Sequence, residues 1–288
     1  MSSENNRVTA VKISDGLGNQ LFQYACACSV WKRNGGRLIL DHSIVDTNPM
    51  RHYELDRFQL KADEVIGVNH IPTKAGKVLV RMFLQKVKFS SLQEIREKEP
   101  YGFDESIFTR KESVYLNGYW QNYRYFHDFR NEISNMLEPS FPMSDYACEM
   151  RRKIIETPDS VSVHIRRGDY VGKADLPLSY YHEAIAALRS RLSHPVFYMF
   201  SDDISYIREQ FGDREDMRMI ENHSKEQSSE DFILMKSCSN HIIANSSYSW
   251  WAAYASAEGI TVCPVYRVWT DSFYPSEWIR IQVDDLSE

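Results

Sequence analysis

The sequence is poor in the devices that would place it outside the cytoplasm. It has five cysteines, Cys26, Cys28, Cys148, Cys238 and Cys263, an odd number scattered mostly among apolar neighbours. That pattern excludes a cystine framework and reads as free buried thiols in a reducing compartment. Cys26-Ala27-Cys28 has one intervening residue and no second Cys or His pair at zinc spacing, so no metal site is expected there. No Asp-x-Asp occurs either, so a common device for holding a diphosphate through a metal is missing. No apolar run approaches the length that spans a bilayer, and the polar start Met-Ser-Ser-Glu-Asn-Asn-Arg lacks the apolar core of a signal peptide. The expectation is a soluble, cytoplasmic protein, with peripheral association to the cytoplasmic face of the inner membrane as its only membrane link. An excess of positive charge is absent too. The formal net charge of −6 argues against a nucleic-acid partner.

What is present is apolar residue enough for a large core: 43% of 288 residues, sufficient for one large domain or two ordinary ones. Val8 to Ser14 alternates like a strand, Asp15 to Gln20 is a turn, Leu21 to Asn34 has helical character ended by Gly35-Gly36, and Arg37 to Asp41 returns as a strand. Gly16-x-Gly18 lacks the third glycine of a dinucleotide fingerprint and signals only a tight turn. Residues 42–112 are expected to be irregular with short helices. Within them, Lys74 to Lys88 is basic and partly apolar, an amphipathic helix with a solvated face or, alternatively, a membrane-surface segment. Val114 to Asn117 reads as a strand leading into Gly118-Tyr119-Trp120-Gln121. Pro139 and Pro142 mark a boundary between an N-terminal half, 1–140, and a C-terminal half, 141–288. In the second half strands at 161–165, 196–200, 217–220, 241–244 and 261–264 alternate with helices. The fold class is α/β with mostly parallel sheets.

Three loops of the second half follow strands and carry chemistry. His164-Ile165-Arg166-Arg167-Gly168-Asp169 sets two guanidiniums at a strand end, a fork suited to a diphosphate or to a structural Arg-Asp pair. Phe200-Ser201-Asp202-Asp203 offers carboxylates that either accept from a purine edge or a sugar, or cap the helix from Ile204. Asn245-Ser246-Ser247-Tyr248-Ser249-Trp250-Trp251 opens a helix whose free N–H groups, dipole and hydroxyls make an anion cradle, or an ordinary cap. One cationic, one carboxylate and one hydroxyl-rich loop on one sheet edge describe a nucleotide-diphosphate pocket.

The His164 to Tyr170 block resembles the signature of α1,2-fucosyltransferases, glycosyltransferase family 11. Gly16 to Ala25, Gly118 to Gln121, Phe200 to Asp203 and Asn245 to Trp251 are similar to that family's other blocks, in the same order over most of the chain. The resemblance implies a GT-B-like fold of two Rossmann-like halves, with the active site in the cleft between them. It implies GDP-fucose bound by the C-terminal half and a β-galactose-terminated glycan by the N-terminal half. The reaction would be an inverting transfer of L-fucose to the galactose 2-hydroxyl, with no cofactor and no metal.

On that resemblance Arg166 and Asn19 are the catalytic residues. Gly18, His164, Arg166, Arg167, Asp202, Asn245, Ser246, Ser247 and Ser249 are the donor-binding set, with Asp202 accepting from guanine N1–H and the N2 amino group. Tyr119, Trp120 and Gln121 are the acceptor-binding set, and Trp250 and Trp251 are core. Arg167 either shares the diphosphate or braces its loop through Asp169. Inversion ordinarily needs a base for the attacking hydroxyl; Asp15, Asp169 and Asp175 are the candidates, with the donor's own phosphate as a substitute. The lack of an N-terminal span points to a bacterial enzyme of O-antigen assembly acting on a lipid-linked precursor. The competing readings are another GT-B transferase, such as a protein O-fucosyltransferase, and a non-catalytic nucleotide-sugar or glycan-binding module.

Overall fold

The structure is a computed structural model that describes residues 7–257, 259–267, 269 and 273–283, the Asp169 side chain excepted. The chain forms two compact units that meet between Met136 and Leu137, just before the Pro139–Pro142 punctuation.

In the first unit β1 (Val8–Lys12) runs into α1 (Leu17–Asn34) and back to β2 (Arg37–Asp41). The Gly35–Gly36 turn requires both glycines. Gly35 and Gly36 have φ of 71° and 88°, and a Cβ on Gly36 would stand 2.3 Å from the Arg7 carbonyl oxygen. The stretch expected to be irregular contains more order than that: β3 (Glu64–Ile66), a helix α2 (Lys74–Val87) and β4 (Gln93–Arg96), before β5 (Val114–Asn117) and α3 (Arg130–Met136). Both missed strands lie at sheet edges. With one buried residue each, Ile66 and Ile95, they carry no alternating apolar signal. The sheet order is β3-β2-β1-β5-β4, every pair parallel.

The second unit begins with α4 (Asp145–Ile155), started by the Ser144 hydroxyl, which accepts from Ala147 N at 3.2 Å. It continues through β6 (Ser160–Ile165), α5 (Leu178–Arg189), β7 (Val196–Ser201), α6 (Ile204–Phe211), β8 (Met217–Met219), α7 (Gln227–Lys236), β9 (Asn240–Ile242), α8 (Ser247–Tyr254), β10 (Thr261–Val265) and β11 (Ile279–Gln282). Its strands are ordered β11-β10-β9-β6-β7-β8, again all parallel. β6 is buried along its whole length, as a central parallel strand must be. Val161, Val163 and Ile165 pack into the apolar core with Phe197, Met199 and Ile242.

This topology fixes where ligands can bind. From β6 the chain builds β7 and β8 on one side, then crosses to build β9, β10 and β11 on the other, the order of a dinucleotide-type fold with its switch point between β6 and β9. In the first unit the corresponding switch lies between β1 and β5. Binding crevices open beyond the carboxyl ends of strands at such points. Those ends carry Arg166-Arg167 and Asn245-Ser246 in one unit, Asp15-Gly16 and Gly118-Tyr119 in the other.

Candidate functional site

Beyond β6 the two arginines part company. Arg167 is clamped: its Nη1 lies 3.4 Å from Asp175 Oδ2, its guanidinium sits 3.6 Å from the Tyr206 ring centroid, and its backbone N–H donates to Asp202 Oδ1 at 2.8 Å. Asp175 uses its other oxygen to accept from Gly172 N at 2.9 Å, so it braces this loop and is corrected from candidate base to structural carboxylate. The partner of Arg167 is therefore Asp175; the Asp169 side chain lies outside the described residues. Arg166 is the more exposed arginine, with side-chain exposure of 30% against 18% for Arg167, and its Nη1 is 3.7 Å from Asp202 Oδ2.

Asp202 thus turns both oxygens toward the arginine loop. A Cβ on Gly168, where φ is 29°, would lie 2.4 Å from Asp202 Oδ2, so glycine is what lets the loop approach this carboxylate. The carboxylate expected to read guanine braces the arginine loop in this structure. The helix cap is its neighbour, Asp203, which accepts from Tyr206 N at 3.1 Å. Ser201 Oγ donates to Ile165 O at 2.8 Å and ties the end of β7 to the end of β6.

His164 is buried one residue before the strand end. Burial first, and the Arg166 charge second, pull its pKa down to about 3, so the imidazole is neutral. Among the described residues its Nδ1 has no hydrogen-bond partner, and its ring centroid is 5.7 Å from that of Tyr248 in the first turn of α8. Asn245 is likewise half-satisfied: Nδ2 donates to Ala174 O at 2.8 Å while the buried Oδ1 accepts from no group among the described residues. Ser246 caps α8 without a side-chain hydrogen bond, and the first turn holds no acidic residue. Ser247 is partly exposed there. Ser249 is corrected from the donor-binding set, because it is 1% exposed and its hydroxyl turns back to Ser246 O at 3.3 Å. Trp250 and Trp251 are fully buried, Trp250 stacked on Tyr254 at 4.6 Å.

The carboxyl edge of the first unit is built differently. Gln20 is fully buried and pins the turn after β1: Nε2 donates to Asp15 O and His52 O, both at 2.7 Å, and Oε1 accepts from Glu54 N at 3.0 Å. Gln23 clasps Ser14 through both its backbone and its hydroxyl, at 2.8 and 2.9 Å. The turn after β5 is held by Glu97, whose carboxylate accepts from Tyr119 N at 2.7 Å and Trp120 N at 3.0 Å. Burial pushes the Glu97 carboxyl up from its ordinary value, against the pull of those amides.

That turn aims its side chains in opposite directions. Trp120, with φ of 57°, goes inward, 1% exposed and edge-on to Tyr125 at 5.6 Å. The expectation of a galactose platform is corrected: its ring is core. Tyr119 is 44% exposed and donates to Asp15 Oδ2 at 2.7 Å; burial, then the Asp15 carboxylate, push its phenol up to about 12. Gln121 Nε2 donates to Asn19 Oδ1 at 2.7 Å. Asn19, Asp15, Tyr119 and Gln121 are therefore one surface cluster, beside the buried Gly18. Sequence reasoning missed Gln20, Gln23, Glu54 and Glu97. It also missed a polar cavity of about 230 Å³ lined by Lys12, Asp41, Arg81, Gln85, Tyr115 and Asn117 at the same edge. The motif glutamines were visible in the sequence, but nothing in their spacing separates a ligand from a pin.

The comparisons agree with this architecture. A family model described as glycosyl transferase family 11 matches residues 64–282. The alpha-1,2-colitosyltransferase of Escherichia coli is 32% identical, with 96% of this chain and 99% of that protein covered. The O-antigen biosynthesis glycosyltransferase WbnK of Escherichia coli is 29% identical over 89% of this chain and 93% of its own. The galactoside 2-alpha-L-fucosyltransferase Sec1 of Mus musculus is 26% identical over 95% and 74%. Among solved structures, NodZ alpha-1,6-fucosyltransferase soaked with GDP-fucose covers 87% of this chain and 93% of that one, at 14% identity and a TM-score of 0.50. At that identity the likeness is one of fold, which is GT-B-like with two Rossmann-like halves.

Proposed function

Because the chain belongs to glycosyl transferase family 11 as an α1,2-glycosyltransferase, we propose that it transfers L-fucose from GDP-fucose to the 2-hydroxyl of a terminal β-galactose. The acceptor would be a lipid-linked O-antigen precursor, a reading supported by its likeness to WbnK. One observation carries the donor side: Arg166 stands at the switch point beside the carboxylate-free start of α8. As the bond from fucose C1 to the β-phosphate oxygen breaks, its electron pair stays with GDP. The Arg166 guanidinium and the α8 N–H groups answer that growing charge. Arg167, immobilised by Asp175 and Tyr206, keeps the loop in shape. The neutral His164 and the open Asn245 Oδ1 supply uncharged polar contacts to the nucleotide sugar.

On the acceptor side the attacking 2-hydroxyl forms the new bond to C1 on the face opposite the phosphate and gives its proton to a base. Asp15 is the candidate that fits, since Tyr119 occupies one carboxylate oxygen and leaves the other without a hydrogen bond among the described residues. Tyr119, Gln121 and Asn19 form the polar surface around it. With cationic charge supplied by the protein and no Asp-x-Asp in the sequence, the reaction is proposed to run without a metal.

The test is an assay of purified protein with GDP-fucose and a panel of β-galactosides, the linkage read by NMR, with and without EDTA. An α1,2-fucosylated galactoside formed in EDTA is the expected product. Failure with every galactoside, or loss of activity restored by Mn²⁺, sinks the corresponding part. A second donor has specific support in the likeness to the alpha-1,2-colitosyltransferase. Colitose is fucose without its 3-hydroxyl, so the ratio of kcat/KM for the two GDP-sugars decides between them. A site that hydrogen-bonds the 3-hydroxyl rejects the analogue lacking it by about 10,000-fold or more.

A further inference from the structure

α2 is the helix whose fourteen residues include none that is buried. Its inner side is nonetheless fixed to the unit: Leu84 packs against a cluster containing Ile39, Ile66 and Phe89, and Gln85 donates to Asp41 Oδ2 at 2.7 Å. Arg81 faces the cavity described above. The orientation is therefore set, and what it turns outward is Leu79, Met82, Phe83 and Val87, each at least 60% exposed. Their spacing puts them in one stripe. A contiguous apolar stripe of this size on a charged surface marks a docking site.

The charge around the stripe says what docks. Lys74 to Val87 contains no aspartate or glutamate, while Lys86 stands within the stripe and Lys74 at its N-terminal end. At that end lies a groove of about 360 Å³ whose lining includes Asn48, Arg51, His52, Asn69, Lys74 and Lys77. The groove's own carboxylate, Asp46, is committed elsewhere, accepting from Val68 N at 2.6 Å and facing His42 Nδ1 at 3.0 Å. Cations without carboxylates, on a chain whose net charge is −6, are segregated charge. A symmetric contact with a second copy would set Lys86 and Lys74 against their own equivalents, whereas anionic headgroups over acyl chains complement both the cations and the stripe.

We infer that α2 and the groove at its N-terminal end form a binding surface for an anionic phospholipid bilayer. The stripe enters the acyl boundary, Lys86 and Lys74 lie at headgroup level, and the groove holds a lipid phosphate. No helix among the described residues is long and apolar enough to cross a membrane, so attachment by this surface is peripheral.

Co-sedimentation of the intact protein with phosphatidylcholine vesicles, with and without phosphatidylglycerol, tests it. Binding is expected only with phosphatidylglycerol and should weaken as salt rises. Phe83→Glu should lower it about tenfold or more, and Lys74→Gln and Lys86→Gln about fivefold each. Circular dichroism and transfer to a soluble galactoside serve as controls, and these exposed changes should leave both unaltered. No binding by the parent protein overturns the inference, as does equal binding by Phe83→Glu or to phosphatidylcholine alone. A self-association in the ultracentrifuge that Phe83→Glu abolishes, with no vesicle binding, would give the surface to a second copy instead.

Discussion

The two units solve the same construction problem with opposite chemistry. Each is an all-parallel sheet whose switch point puts two loops side by side at a carboxyl edge. In the second unit that edge is organised by charge: Asp202 and Asp175 orient two arginines over a buried neutral histidine. In the first it is organised by side-chain amides, a carboxylate and captured backbone. Gln20 and Gln23 hold one loop, Glu97 holds the other, and Gln121 bridges to Asn19. The difference would suit the two substrates proposed for this protein. A diphosphate is recognised by fixed positive charge, a sugar by many weak polar contacts that must be pre-aimed.

The largest expected break is on the charged side. Arg166→Ala should leave folding intact and reduce kcat roughly 100- to 1,000-fold, because it removes a donor aimed at charge that develops only in the transition state. Near-normal turnover by a folded variant would refute the comparison. The matching change on the amide side should fail in the other way. Gln20→Ala removes a fully buried amide and with it three hydrogen bonds, to Glu54 N, Asp15 O and His52 O, which should cost on the order of 3 kcal/mol of stability. Chemical denaturation measures that loss. An unchanged midpoint would mean the turn does not depend on its glutamine.

The same contrast explains what could be read from sequence. The second unit's strands and loops, the edge strand β11 excepted, were readable because Val161, Val163 and Ile165 alternate along the wholly buried β6 and the chemistry-bearing residues follow such strands directly, as Arg166 follows β6. The first unit's edge strands β3 and β4 bury one residue each and left no period to detect. Trp120 was misread because a positive φ reverses the side chain's direction, and nothing local in Gly118-Tyr119-Trp120-Gln121 encodes that it is Glu97, far back in the chain, that sets the turn. Asp175 was read as a candidate base and its pairing with Arg167 missed for the related reason that a salt bridge across a loop has no fixed spacing. Motif residues thus fall into two kinds, those left open at the strand ends, such as Asn245 Oδ1, and those that hold the loops, such as Arg167 and Gln20.

His164 gives the charged edge a pH signature of its own. Its folded-state pKa of about 3 lies below the ordinary histidine value of about 6.5. Above pH 6.5 both folded and unfolded chains keep it neutral, and it adds no pH dependence. Between about 6.5 and 3 the unfolded chain binds a proton that the folded one refuses, so stability falls as pH falls, by at most about 1.4 kcal/mol per pH unit. Denaturation of the parent and of His164→Gln across that range isolates the effect, since the carboxylates contribute to both. Parallel curves would show that the imidazole is hydrated in the folded protein.

The smallest expected effect separates a brace from a reader. Asp202 Oδ1 holds Arg167 N, and its other oxygen faces Arg166 at 3.7 Å across a partly exposed gap. Asparagine can keep the first contact, because its amide oxygen accepts as the carboxylate did, and loses only the charge. A half-exposed pair at that distance is worth about 1 kcal/mol or less, so Asp202→Asn should change GDP affinity by no more than about fivefold. If the carboxylate instead turns to guanine when the nucleotide binds, the amide would confront a guanine N–H with a donor. That unpaired buried donor costs about 1 to 3 kcal/mol, weakening GDP by up to about 150-fold. Calorimetric titration of GDP distinguishes the two. A small change keeps base recognition among uncharged groups, with Asn245 Oδ1 an acceptor still unpaired among the described residues, whereas a loss near the upper bound would return Asp202 to the nucleotide.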